Sequence, residues 1–245
     1  MCWSFAASII FAIIGIVVGI YLISKKEYKL LWIPIIYFSL MELLQFLTYF
    51  VINLCHLPFN QMLTLLGYLH ISFQPFFINM IAMYFIPEDF RKKISKFVYI
   101  ICFICTVLIL IKLYPLAWSG TCIPGVDLLC GTELCSYSGS WHLAWSIPYN
   151  GLGYSVWSIY LFAAFIIPLL YGSWRVSLFH VIFGPTLSKV LAPSPNEWPA
   201  VWCLVSVGLI IIGLFKPILK LLRVNNWYGL KFEKLFGSKK VKKKK

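Results

Sequence analysis

Apolar stretches of about twenty residues recur along the chain, separated by short clusters of lysine, proline, glycine and asparagine. A run of that length crosses the hydrocarbon core of a bilayer as an α-helix. The pattern predicts seven spans, at about 5–23, 30–52, 60–86, 97–113, 141–172, 174–192 and 199–222. The first ends at Lys25-Lys26, and the third stops at Pro87, because proline cannot continue a helix. In the fifth, the opening residues suit the membrane interface. The sixth is the least apolar, holding His180, Gly184-Pro185 and Lys189, whereas the seventh runs cleanly through Gly208-Leu209-Ile210-Ile211-Ile212. The expected fold is an all-α, polytopic transmembrane bundle over residues 1–222, followed by a basic tail at 223–245.

Composition sharpens this. The 245 residues are 61% hydrophobic and 12% charged, against about 25% charged in an ordinary soluble domain. That excludes a soluble cytosolic enzyme, a disordered chain and a disulfide mini-protein. The net charge of +13 is explained by topology. Lysine and arginine favour the cytosolic side of short loops. Eight basic residues follow spans one, three and five, and eleven lie from Lys216 onward, which makes 19 of the 21. The opposite loops, at 53–59, 114–140 and 193–198, hold none. The N-terminus is therefore expected outside or in a lumen and the tail in the cytosol, and nucleic acid is not expected as a partner. No basic stretch precedes the first apolar run, so that run is expected to be an uncleaved anchor.

The non-cytosolic side also collects cysteines. Cys122, Cys130 and Cys135 share the loop 114–140, and Cys55 lies in the loop before span three. Four thiols on an oxidising face allow two disulfides in three connectivities. One bridge within Cys122–Cys135 and one tying that loop to Cys55 would make it a stapled lid. The competing reading is a zinc site with His56 or His142, although no Cys-X-X-Cys spacing occurs. Cys102, Cys105 and Cys203 lie inside spans and read as small packing residues.

Ionisable groups at membrane depth are costly and face a cavity or a partner. Glu42 sits near the middle of span two with Gln45 a turn nearer the outside, and His70 and Gln74 share a face of span three. Counted from the outer ends, Glu42 and His70 fall within a turn of the same depth. A carboxylate beside an imidazole serves as a proton relay, a metal half-site or an acid–base pair. Against this stands a bland reading, in which these groups hydrogen-bond across helices for about 0.6–2 kcal/mol each. His142 and Glu197 lie at the same outer level, among tryptophans that serve first as interfacial anchors. A pocket open to the non-cytosolic side would be lined by Glu42, Gln45, His70, Gln74, His142 and Glu197.

The chain opens Met1-Cys2-Trp3-Ser4-Phe5-Ala6-Ala7-Ser8. This resembles a group of small polytopic proteins beginning Met-Cys-aromatic-Ser, a resemblance that implies no activity. With Met1 removed, Cys2 would offer a thiol and an amine together, so Cys2 joins His70, Glu42 and His142 as a candidate metal ligand. Covalent retinal is excluded, because no lysine lies between Lys189 and Lys216. Aromatics interleaved with lysines after Arg223 suit an anionic lipid surface. Lys242 and Lys243 stand fourth and third from the end, resembling a dilysine retrieval signal of the endoplasmic reticulum; otherwise the plasma membrane is expected.

Three readings of function follow. The first is movement of a small ion, proton or polar solute, with Glu42 and His70 as the protonatable centre. The second is a membrane-embedded enzyme acting on a lipid or lumenal substrate with a metal as candidate cofactor. The third is a receptor or scaffold without chemistry.

Overall fold

The computed structural model describes residues 5–202 and 215–232. Among the described residues four helices are long and apolar enough to cross a membrane: α1 (Phe5–Ser24), α2 (Lys29–Thr48, extended by one 3-10 turn at Tyr49–Val51), α3 (Pro58–Tyr84) and α4 (Glu88–Ile111). Helix α5 (Val156–Leu170) is apolar but shorter. Helix α6, residues 174–191, follows it after a turn at Gly172. Both α5 and α6 carry a widened π turn beside a proline, at Phe162–Ile166 before Pro168 and at Ile182–Thr186 around Pro185. A proline ring has no N–H to give the preceding turn, so the local hydrogen-bond step lengthens. Short helices α7 (Trp198–Val201) and α8 (Lys216–Leu222) complete the helical part.

Two departures from the sequence reading have clear causes. The chain is mostly helical, not all-α: β1 (Cys135–Ser138) pairs antiparallel with β2 (Leu143–Ser146), and β3 (Asn226–Trp227) pairs with β4 (Leu230–Lys231). The predicted fifth span therefore loses its first half. Residues 141–155 form the second arm of a hairpin and a loop; Pro148, Gly151 and Gly153 break the run, and the helix starts only at Val156 behind an N-cap at Ser155. Helix α4 departs in the other direction, beginning at Glu88 rather than near 97. Its first turns carry Arg91, Lys92, Lys93 and Lys96, too polar to count as a span but well suited to a helix end. The apolar core of the predicted seventh span, with Cys203, lies outside the described residues, as do Cys2 and the terminal lysines.

Helices α1 and α2 pack through small residues. Ser8, Ala12, Gly15 and Gly19 are buried along one stripe of α1, and Gly19 comes so near Ile36 that a methyl group there would collide with it. Small residues allow close backbone approach where water supplies no driving force between helices. The remaining bundle is cross-linked by polar groups. Asn79 of α3 donates to the Ala163 carbonyl at 2.9 Å, Thr106 of α4 to the Ser72 carbonyl at 2.8 Å, and Tyr68 to the Ile109 carbonyl at 2.8 Å. The three loops that lack lysine and arginine meet at one end of this bundle. At the opposite end Val224 donates to the Phe85 carbonyl and Arg175 to that of Leu221.

Candidate functional site

The end where these loops meet, which the lysine and arginine pattern predicts to be the outer end, is assembled on the β1–β2 hairpin. Cys55 pairs with Cys135 and Cys122 with Cys130, so one bridge closes a small ring inside the loop and the other ties the hairpin to the start of α3. Two asparagines then fix its register against the helices. Asn60 donates to the carbonyls of Val51 and Ser136 and accepts from the Ser136 N–H, all at 2.7–2.9 Å. Asn53 accepts from the Ser138 N–H at 2.8 Å and donates to its hydroxyl at 2.9 Å. Trp145 lays its ring on α3 at Gly67. Neither asparagine stood out in the sequence; the signal available was a polar residue in the first turn of an otherwise apolar helix.

At the hairpin tip the backbone of Ser140, Trp141 and His142 turns its N–H groups inward. Glu197, just before α7, accepts all three, at 3.0, 2.7 and 2.9 Å, together with the Ser140 hydroxyl at 2.9 Å. Burial pushes the Glu197 carboxyl up, but these four donors to its charged form outweigh that and hold it below the usual carboxylate range. The fit needs a glycine: a side chain at Gly139 would strike the Glu197 carboxyl group and the His142 carbonyl.

That clamp presents His142 to α2. The ring is fully buried. Its Nε2 lies 2.6 Å from Gln45 Oε1 and its Nδ1 2.7 Å from the Tyr49 hydroxyl. With the amide oxygen facing the ring, Nε2 carries the hydrogen and Nδ1 accepts from tyrosine, so the geometry selects one neutral tautomer. Gln45 and Tyr49 are four residues apart, and Glu42 stands three residues before Gln45, so all three project from one face of α2. Glu42 and Gln45 are buried, and Tyr49 is half-buried. Of the predicted pocket residues, the structure thus joins Gln45, His142 and Glu197 in one column, with Glu42 beneath it. Tyr49 is a member that the sequence reading missed, since tyrosine is common in apolar runs.

His70 and Gln74 are placed elsewhere. The His70 ring stacks on Tyr37 with centroids 3.9 Å apart, and the Tyr37 hydroxyl donates to the His70 backbone carbonyl. Tyr37 is five residues before Glu42, about 7.5 Å along the helix axis. Gln74 accepts from the Tyr160 hydroxyl at 2.6 Å, on the side facing α5. His180, a buried member of α6, accepts from Trp202 Nε1 at 3.1 Å.

The described residues assemble no metal centre, and Cys2 lies outside them. Among the described residues no three of His, Cys, Asp and Glu converge on one point. Both His142 ring nitrogens are already engaged by protein partners, and His56 and the outer cysteines share no site beyond the two disulfides.

The model of a family of unknown function (DUF5765) matches residues 6–223. No curated protein and no solved structure matches the chain.

Proposed function

The chain belongs to DUF5765, and for this member we propose an integral membrane protein that moves a proton, or a small ion or polar solute coupled to one, from the non-cytosolic side. The observation that carries this reading is His142, buried with one ring nitrogen on Tyr49 and the other on Gln45. An imidazole held this way takes a proton at Nδ1 from the tyrosine side and releases one at Nε2 toward the helix interior. Glu42, the one carboxylate of α1–α3 and buried on the same face of α2, is the protonatable group next along that face. A buried carboxylate is an expensive way to bind helices together, which favours a working role. Glu197 acts at one remove, holding the hairpin tip so that the ring stays in line.

Seven spans with a cytosolic tail, and an address in the endoplasmic reticulum if the cell is eukaryotic, belong to the same proposal; their support is the lysine and arginine pattern and Lys242–Lys245. The test is proton flux in proteoliposomes containing a trapped pH-sensitive dye. An acid pulse is expected to give flux that Glu42→Gln abolishes while both disulfides and the melting temperature in detergent are retained. Unchanged flux in that variant overturns the reading.

A further inference from the structure

A separate cavity lies under the loop closed by Cys122–Cys130, among α3, α4, α5 and α7. It shares none of the His142 column. Its floor and walls are apolar or aromatic, from Ile71 and Ile109 to Trp157, Tyr160 and Trp202. Two polar groups in this lining are under-used by the protein.

The first is Lys112, at the end of α4 and only 5% exposed. Its ammonium has three hydrogens to donate. One goes to the Leu152 carbonyl at 2.8 Å, and the Tyr154 ring centroid lies 5.2 Å away. The helix C-terminus favours a cation there, but among the described residues no carboxylate comes within ion-pair distance of it. Asp127, exposed in the same lining, acts on it only at longer range, and its Oδ2 accepts from the Ile123 N–H. The second group is Tyr149, 3% exposed, whose buried hydroxyl faces that of Tyr68 as its acceptor in a contact too poorly aligned to satisfy it fully. Tyr68 directs its own proton to the Ile109 carbonyl. A buried cation with a single hydrogen bond and a buried hydroxyl set against a second tyrosine hydroxyl, in one apolar cavity, suit an acceptor with a single negative charge.

We propose that this cavity binds a compact monocarboxylate, its two oxygens taken by the Lys112 ammonium and the Tyr149 hydroxyl and its short apolar body set against Trp157, Tyr160 and Trp202. A carboxylate suits the site better than phosphate, which carries more charge and needs more donors than these two groups supply. The loop above it bears exposed Trp118, Ile123 and Val126, side chains that seat a lid at a membrane interface. The disulfide Cys122–Cys130 keeps that lid closed over the ligand.

Calorimetric titration of the full-length, oxidised protein in detergent tests this, with butyrate, butyramide and inorganic phosphate as probes. Butyrate is expected to bind at least about ten-fold more tightly than butyramide, because the amide carries no charge for Lys112. Lys112→Gln is expected to weaken butyrate about ten-fold or more and Tyr149→Phe about five-fold, with butyramide unmoved. Equal binding of acid and amide, binding of neither, or phosphate competing as well as butyrate would each overturn the proposal. Should Lys112→Gln fail to fold, Tyr149→Phe decides, and unchanged butyrate affinity in that variant rejects the site.

Discussion

The two ends of the helices solve the same problem, joining apolar rods through loops, with different chemistry. At the outer end two disulfides, two asparagine clamps and the four hydrogen bonds to Glu197 bind three loops into one unit. At the opposite end the links among the described residues are separate hydrogen bonds to backbone carbonyls, from Val224 N–H to Phe85 and from the Arg175, Trp227 and Tyr228 side chains to Leu221, Leu170 and Leu169. Lys92 and Glu88 pair there at 2.7 Å with side chains 69% and 51% exposed. The difference teaches where the fold spends its specificity. Surface pairs contribute little, whereas a buried carboxylate meeting backbone N–H groups fixes position to within a hydrogen bond. The hairpin end thereby fixes the orientation of the buried His142 ring through both of its nitrogens.

Breaking the Cys55–Cys135 bridge should have the largest effect. It spans 80 residues, for which loop-closure entropy gives up to about 4.5 kcal/mol. Cys55→Ser is expected to lower the melting temperature in detergent by more than any change at the opposite end. Loss of no more than a degree or two would mean that the hairpin is held by its asparagines alone.

Glu197→Gln comes next. The neutral amide turns an NH2 group toward donors and loses the charge-assisted bonds, a cost of about 3 kcal/mol. The pH response has a definite sign. The folded-state carboxyl sits below its ordinary value of 4.5, so its contribution is fully present above that value and is lost as pH falls through the lower, folded-state value. Wild type should therefore lose stability on acidification below about pH 4.5, and the Gln variant should show a shallower loss. Parallel pH curves for the two proteins would show that the clamp is not ionised. The smallest effect belongs to Lys92→Ala, for which no measurable change in melting temperature is expected; a clear loss would make the basic end a structural element in its own right.

How much of this the sequence carries depends on the range of the interaction. The first four spans follow from local runs of apolar residues, and the loops that meet at the outer end are those without lysine or arginine. The hairpin was hidden because Trp141–Ile147 is itself apolar and continuous enough to pass for a helix start; its pairing with Cys135–Ser138 is non-local. Depth counting brought Glu42 and His70 to one level but carries no information on which way each helix is turned. In the structure His70 stacks on Tyr37, while the face of Glu42 leads to His142. Grouping Gln45, His142 and Glu197 at the outer level needed only topology, and those three do meet. Lys112 and Tyr149 were passed over, being a helix-end lysine and a loop tyrosine that only the fold places around one cavity.

The central claim is that His142, and not His70, is the histidine through which protons pass. Proton flux should be measured in matched proteoliposomes of wild type, His142→Asn and His70→Asn. Loss of flux is expected in His142→Asn and near wild-type flux in His70→Asn. Flux retained in His142→Asn, or lost only in His70→Asn, would contradict it.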